Sequence, residues 1–320
     1  MKKALIIAIV LLIIGGAIFL SAYFATGRDL SKLSIEKCVT NEYTLAEEFQ
    51  NIELSTKESD VAFFPSTDGT TRVVCKEKEH VKHSVTVEEG TLKITAKNTE
   101  KWYERFTLFG GPSLYVKIYL PVGVYGTLSI KASTGDVDLP EGFSFESVYV
   151  KASTGDVKCA SSSAGDITIK TSTGNIVLAN IASERVDLAA STGDIKVTNL
   201  ACVGDLSAKV STGKVRMDSV TCKNATIGAS TGNVIMKNVI ASEMMSIKTS
   251  TGDVSFDHSD AGEISVKVDT GDVKGSLRSA KVFIVRSDTG RINVPESLTG
   301  GKCKIETDTG DIKITIESVE

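Results

Sequence analysis

The sequence predicts an all-β fold: a parallel β-solenoid with coils of about 20 residues, preceded by one N-terminal transmembrane helix. Three observations carry this. Ten Ser/Asp-Thr-Gly triplets recur, with glycines at Gly135, Gly155, Gly174, Gly193, Gly213, Gly232, Gly252, Gly271, Gly290 and Gly310, spaced 19 or 20 residues apart. Around them apolar residues alternate with a period of two, as in Val148/Val150/Ala152 and Ile195/Val197, which is the signature of strands. Finally, the run from Ala4 to Gly27 contains no charged residue, and about 20 apolar residues suffice to span a bilayer.

Residues 1–27 therefore read as a signal anchor or transmembrane helix. Lys2 and Lys3 before the apolar run favour a cytoplasmic N-terminus. A cleaved signal peptide is the competing reading, with a shorter apolar core and small residues before the cut. Leu20, Tyr23 and Phe24 interrupt the obvious Ala-x-Ala options. With no second span in the sequence, the expected location is the cell membrane, single-pass, with the bulk of the chain extracytoplasmic.

Residues 28–40 read as a linker. Residues 41–127 read as a strand-rich N-terminal cap continuous with the solenoid. Within it "NIELSTKESDVAFF" (Asn51–Phe64) places Asp60-Val61 where the repeats have Gly-Asp-Val. Residues 128–320 are the repeat array, each unit reading as two short strands and two turns, with no room for a crossover helix. A unit this short cannot bury its apolar face alone, so neighbours must stack. Stacking about 4.8 Å apart in parallel lines identical residues into ladders, which an antiparallel meander has no reason to do. "DIKITIESVE" (Asp311–Glu320) is expected to be the exposed final strand.

Composition narrows the function. The chain has 320 residues, 41% hydrophobic and 24% charged, with a net charge of −4. It is therefore not a disordered chain, and it lacks the basic excess that nucleic-acid binding requires. Aromatics make up 6% of the chain, too few for extended sugar platforms.

Four groups of residues are candidates for more than scaffolding. Lys131, Lys151, Lys170, Lys209, Lys248, Lys267 and Arg286 stand four residues before seven of the ten glycines. Stacked, they form a basic ladder suited to anionic envelope polymers or lipid headgroups, or simply a solvated face offset by the Asp row past the turn. Trp102, Tyr103, Phe106 and Phe109 crowd one loop-like stretch, "KWYERFTLFGGP" (Lys101–Pro112), readable as a partner-contact loop or as a lid on the open first coil. Cys202 and Cys222 each follow a repeat glycine by nine residues. Adjacent coils would hold their Cα atoms about 4.8 Å apart, within disulfide range. Cys159 takes an inward position, Cys38 and Cys75 are a second potential pair, and Cys303 is unassigned.

The fourth group is the residue after each glycine, mostly Asp or Asn. A calcium row is the sharper reading and a turn whose side chains bond backbone the plainer one. Lys214 and Arg291 in the same row favour the turn, since cations have no place among calcium ligands. His80 and His83 are three apart in a strand-like stretch and point to opposite faces, against a two-His metal site, and His258 stands alone. No nucleophile elbow or zinc motif is present, so no catalytic residue, metal site or cofactor is expected.

The strand "VKIYLP" (Val116–Pro121), the following "LSIKASTGDV" (Leu128–Val137) and the many "STGD/N-V/I" copies resemble the bacterial "putative adhesin" family of β-strand-repeat proteins, a domain of unknown function. The resemblance covers roughly residues 50–320. It implies a β-helical fold at the cell envelope, sometimes tethered by a membrane helix, and no catalytic residues. The expected function is that of a non-enzymatic, membrane-anchored cell-surface solenoid: adhesin-like, structural or envelope-sensing. Its expected partners are the membrane, through the helix, and an envelope polymer or surface protein. The alternative is a carbohydrate-active enzyme or polysaccharide-binding β-helix.

Overall fold

The computed structural model describes residues 2–25, 27–28, 38–78, 81–98, 113–163 and 165–317. A single helix, α1 (Lys2–Ala25), comes first. Its stretch Ile6–Ala25 is long and apolar enough to cross a membrane. Among the described residues every later element is a strand, and together they build about nine coils of about 20 residues.

The N-terminal end departs from simple stacking. Strands β1 (Cys38–Leu45), β2 (Asn51–Thr56), β3 (Ser59–Pro65), β4 (Thr71–Lys78), β5 (Val81–Glu88), β6 (Thr91–Asn98), β7 (Leu114–Leu120), β8 (Gly123–Thr134) and β9 (Val137–Leu139) follow one another. β2 and β3 are the first level of the stack. They pair in parallel with β8 and β9, Ile52 opposite Leu128 and Val61 opposite Val137. On their other side lie β6 and β7, also parallel. Beyond these the pairing turns antiparallel, β5 on β6, β4 on β7, and β1 on β4. These added strands extend the core beyond the first level, with Leu92 and Ile94 of β6 and Val73 and Cys75 of β4 buried in it.

From Leu128 to Thr270 each coil stacks on the next: Lys131 meets Lys151, which meets Lys170. Each coil carries the expected two strands, such as Arg185–Thr192 and Ile195–Cys202, with an added bend inside the second that gives the coil three sides. It bends at the glycine, again six residues later, and a third time before the next inward run. At the second bend Asn180, Asn199, Ser219, Asn238 and His258 have φ between 51° and 58°, the left-handed region that short polar side chains tolerate. This bend switches which residues point inward. Ile195 and Val197 precede it and Leu200 and Cys202 follow it, and all four are buried. The inward residues of all three sides merge into one apolar column along the stack.

The glycine corner is set by close approach. Gly213 has φ 144°, and a Cβ added there would overlap the Gly193 carbonyl, 2.6 Å from its carbon. Only glycine fits both the conformation and the spacing. The residue after it then does a second job. Asp136 Oδ1 accepts a hydrogen bond from the Asp156 N–H of the next coil (2.8 Å), and Asp156 Oδ1 accepts from the Asn175 N–H (2.7 Å). Asn175 serves Asp194 and Asp194 serves Lys214 in the same way. Lys214 has no acceptor, so the rung to Asn233 is missing. The ladder resumes with Asn233 to Asp253 and Asp253 to Asp272. The Asp row thus bonds backbone across coils, and Asp60 opens it as the degenerate turn suggested, accepting from the Asp136 N–H at 2.9 Å.

The C-terminal end corrects the sequence reading. Strand Val254–Thr270 pairs not with Lys281–Thr289 but with Gly301–Thr309, Val266 opposite Ile305. Lys281–Thr289 packs on the far side of that strand, Val285 opposite Ile305. Likewise Ile312–Ile316 lies between Val273–Leu277 and Ile292–Asn293. The last two coils are therefore exchanged, and the exposed end of the stack is Lys281–Asn293, not Asp311 onward. The corner ladder follows the spatial order: Asp272 serves Asp311, and Asp311 serves Arg291. Arg291, without an acceptor, stands where no further coil needs one. Lys281 pins the arrangement. From the outer coil it reaches past Gly301, which has no side chain in the way, to Asp260 Oδ1 (2.7 Å) and the Ala261 carbonyl (2.6 Å). The lysine side chain is 4% exposed.

Candidate functional site

The strand before each glycine corner points alternate residues outward, and these make one continuous face. Lys151, Lys170, Lys209 and Lys248 line a cleft of about 770 Å³ with Ser172, Ser191, Ser211, Ser230, Ser246 and Ser250. Ala189 lies between Lys170 and Lys209 in the same row, and Gly228 between Lys209 and Lys248. These two small residues leave the space from which the cleft is made. No carboxylate lines it. Lys170 pairs with Asp187 at 3.1 Å. Lys131, Lys151, Lys209 and Lys248 form no ion pair with any described residue.

At the C-terminal end the ladder differs from expectation. Lys267 lies beside Glu306, and Arg286 beside the other edge of Glu306. Arg286 therefore does not stack on Lys267, because the exchanged coil intervenes. The Lys304 ammonium, bonded to Glu306 at 2.7 Å, holds that carboxyl below its usual range, with Lys267 and Arg286 adding to the effect. The basic character ends there.

Cys202 and Cys222 are free, buried thiols on adjacent coils. Cys38 lies opposite Lys78 and Cys75 opposite Asn41. Three residues of offset put these two cysteines about 10 Å apart along the strands, so they do not form the second pair. Cys159 packs in the core, as its inward position implies, and burial pushes its thiol up to about 12. Trp102, Tyr103, Phe106, Phe109 and His80 lie outside the described residues.

Two groupings emerge that the sequence reading did not assemble. On the outer face of β3, β4 and β7, Phe64 stacks on Tyr119 at 5.2 Å. Arg72 sits over Tyr119 at 5.2 Å and Lys117 over Tyr115 at 4.5 Å. The alternation Tyr115-x-Lys117-x-Tyr119 was the visible signal.

The second grouping is buried. Cys75, Glu77 and His83 bring Sγ, a carboxylate oxygen and a ring nitrogen within 4.8 Å of one another. Cys75 and Glu77 share one face of β4 because they are two apart. His83 comes from β5, whose pairing with β4 stops after Lys78 and Val81. There the Glu77 carboxylate takes the place of a strand carbonyl. Its Oε2 accepts from the His83 backbone N–H (2.6 Å) and faces His83 Nδ1 at 2.9 Å. Asn41 Nδ2 donates to Oε1 at 2.6 Å, and Thr56 Oγ1 lies 3.3 Å from His83 Nε2. Burial, with Glu77 adding, pushes the Cys75 thiol up to about 12. Burial also raises the Tyr43 phenol, and Glu77 and Cys75 raise it further.

Among solved structures the chain is similar to a "putative adhesin" from Parabacteroides distasonis ATCC 8503, with 12% identity over 88% of this chain and 98% of that one and a TM-score of 0.48. It is also similar to a "putative lipid binding protein" from the same organism (16% identity, 87% and 97% covered, TM-score 0.43). A "putative adhesin" from Bacteroides fragilis NCTC 9343 gives 17% identity, 87% and 97% coverage and a TM-score of 0.41. No protein of curated function matches. The family model described as Toastrack DUF4097 matches residues 49–206 and again residues 201–319. Its two matches together take in the first level of the stack, the array and the exchanged C-terminal coils, and the chain belongs to the Toastrack DUF4097 family.

Proposed function

We propose that this is a non-enzymatic, membrane-anchored protein of the cell envelope whose solenoid presents a lysine–serine face to an anionic polymer. The observation that carries the reading is the cleft over Lys151, Lys170, Lys209 and Lys248. It offers several cations without a paired carboxylate, spaced by coil multiples of about 4.8 Å and interleaved with hydroxyls. Such a surface suits a chain of repeating phosphate or carboxylate groups. In this reading helix α1 is the anchor, residues 28–40 the linker, 41–127 the cap and 128–320 the extracytoplasmic array. Glycoside hydrolysis requires two opposed carboxyl groups, and the cleft lining supplies none. That favours binding over the enzymatic alternative at this face.

The test measures binding of the full chain in detergent micelles to polyphosphate, polyuronate and neutral dextran. Exposed charge contacts contribute about 0.2–1 kcal/mol each. Reversing Lys151, Lys209 and Lys248 to Glu is expected to weaken anionic binding by at least about tenfold. Wild-type binding should also fall with salt. Equal binding by the triple variant, or equal binding of dextran, refutes the proposal.

A further inference from the structure

We propose that Cys75, Glu77 and His83 form a metal site, selective for zinc or a similar borderline divalent ion, that fastens the antiparallel cap to the first level of the solenoid. The three donors are a thiol, a carboxylate and an imidazole, the set that tetrahedral zinc takes. Their ligand atoms already lie within 4.8 Å of one another. A tetrahedral shell with metal–ligand bonds of about 2.0–2.3 Å spaces its ligand atoms about 3.3–3.8 Å apart, so the 2.9 Å Glu77–His83 contact opens by about 0.5 Å and any wider separation closes by about 1 Å. Cys75 is fully buried, Glu77 is 1% exposed and His83 4%. The site is thus enclosed within the protein.

The surroundings fit second contacts to such ligands. Asn41 holds the Glu77 oxygen that faces away from His83, and Thr56 Oγ1 stands at Nε2. Metal-bound histidines keep their other ring nitrogen engaged in this way. Binding is balanced as follows. Zn²⁺ bonds the Cys75 sulfur, a Glu77 oxygen and His83 Nδ1. The thiol proton leaves to solvent. The imidazole proton moves from Nδ1 to Nε2, where it is donated to Thr56 Oγ1. Two anionic donors then offset the two positive charges, so the buried site is neutral, which a low-dielectric interior favours. The ligands come from β4 and β5, with Asn41 on β1 and Thr56 on β2. The ion therefore joins three antiparallel strands to the first level of the stack.

The test uses the reduced full chain in detergent micelles, stripped with EDTA and titrated with Co²⁺, then Zn²⁺. Expected are one ion per chain, a thiolate-to-cobalt charge-transfer band, loss of that band on adding Zn²⁺, and a rise in Tm with Zn²⁺. Cys75→Ser should abolish the band and His83→Gln should weaken Co²⁺ binding by at least about tenfold. Cys303→Ser, also a buried thiol, should change neither. X-ray absorption of the zinc-loaded wild-type chain needs no variant and should show one sulfur among nitrogen and oxygen neighbours. Absence of stoichiometric metal, a band that survives Cys75→Ser, or a shell with no sulfur or with two, overturns the proposal.

Discussion

Replacing Gly213 by Ala tests the claim that the corner is built on close approach. The new Cβ would sit 2.6 Å from the Gly193 carbonyl carbon, on backbone at φ 144°. An L-residue held there costs about 1–3 kcal/mol. Relieving the overlap requires the two coils to part at that corner. Three hydrogen bonds cross it: Gly193 N–H to Thr212 O and Ile195 N–H to Lys214 O, both 2.9 Å, and Lys214 N–H to Asp194 Oδ1, 2.7 Å. At about 0.5–1.5 kcal/mol each they add about 1.5–4.5 kcal/mol. The sum, about 2.5–7.5 kcal/mol, rivals the whole stability of many domains. In a linear array the damage stays near its source. Amide hydrogen exchange on the full chain in micelles should show lost protection around residues 193–231 and retained protection around 128–154. Gly228→Ala is the control. Its Cβ would meet only Lys209 Cγ at 3.6 Å and Lys248 O at 3.9 Å, and the expected effect is neutral to stabilising by about 1 kcal/mol. If the two variants exchange alike, close approach is not what selects glycine at the corner.

Lys214→Asn supplies the missing acceptor for the Asn233 N–H and is expected to stabilise by about 0.5–1 kcal/mol, read as a rise in thermal midpoint; a fall refutes the ladder's role. Lys281→Met leaves the Asp260 carboxylate buried beside no cation and should cost about 3–5 kcal/mol. Adding Asp260→Leu should recover most of it, and no recovery would show that the ion pair is not the cause. Burial favours the neutral Cys159 thiol in the folded chain. Its contribution is complete below the ordinary thiol range near pH 8.5 and is lost as pH rises through about 12. Cys159 should therefore resist alkylation at about pH 9 until the chain unfolds, and labelling at the rate of a free thiol would contradict this. Cys202 and Cys222 are expected to cross-link under mild oxidation, detected as a linked peptide pair; a map showing both thiols free after oxidation counts against it.

What the sequence disclosed follows from how narrowly each position is constrained. At Gly213 both conformation and space admit one residue type, so the corner repeats visibly. The second bend needs only a left-handed φ, which Asn180, Ser219 and His258 all supply. Asn recurs at three of the five bends but Ser219 and His258 replace it at the others, so the signal is diluted and this bend stayed hidden. The exchange of the last coils was masked because Thr289 and Thr309 carry the same motif and either could sit against Thr270. Arg291 was the clue, being the one corner residue with no later neighbour to serve. The buried cluster escaped because Cys75, Glu77 and His83 are unremarkable singly. Only the hairpin between β4 and β5 brings the histidine back over the other two.

The exchanged coils set the order of synthesis against the order of assembly. Lys281–Asn293 leaves the ribosome before Gly301–Ile316, yet the later segment holds the inner berth beside Val254–Thr270. Whichever way the chain proceeds, the earlier coil must either wait at a distance with the berth empty or dock first and then be displaced. The Lys281–Asp260 link forms in its final geometry only once Gly301 lies between them. Completion of this end is thus a sorting step, not one more round of addition, and it gives the rod a built-in check that Gly301–Ile316 has arrived.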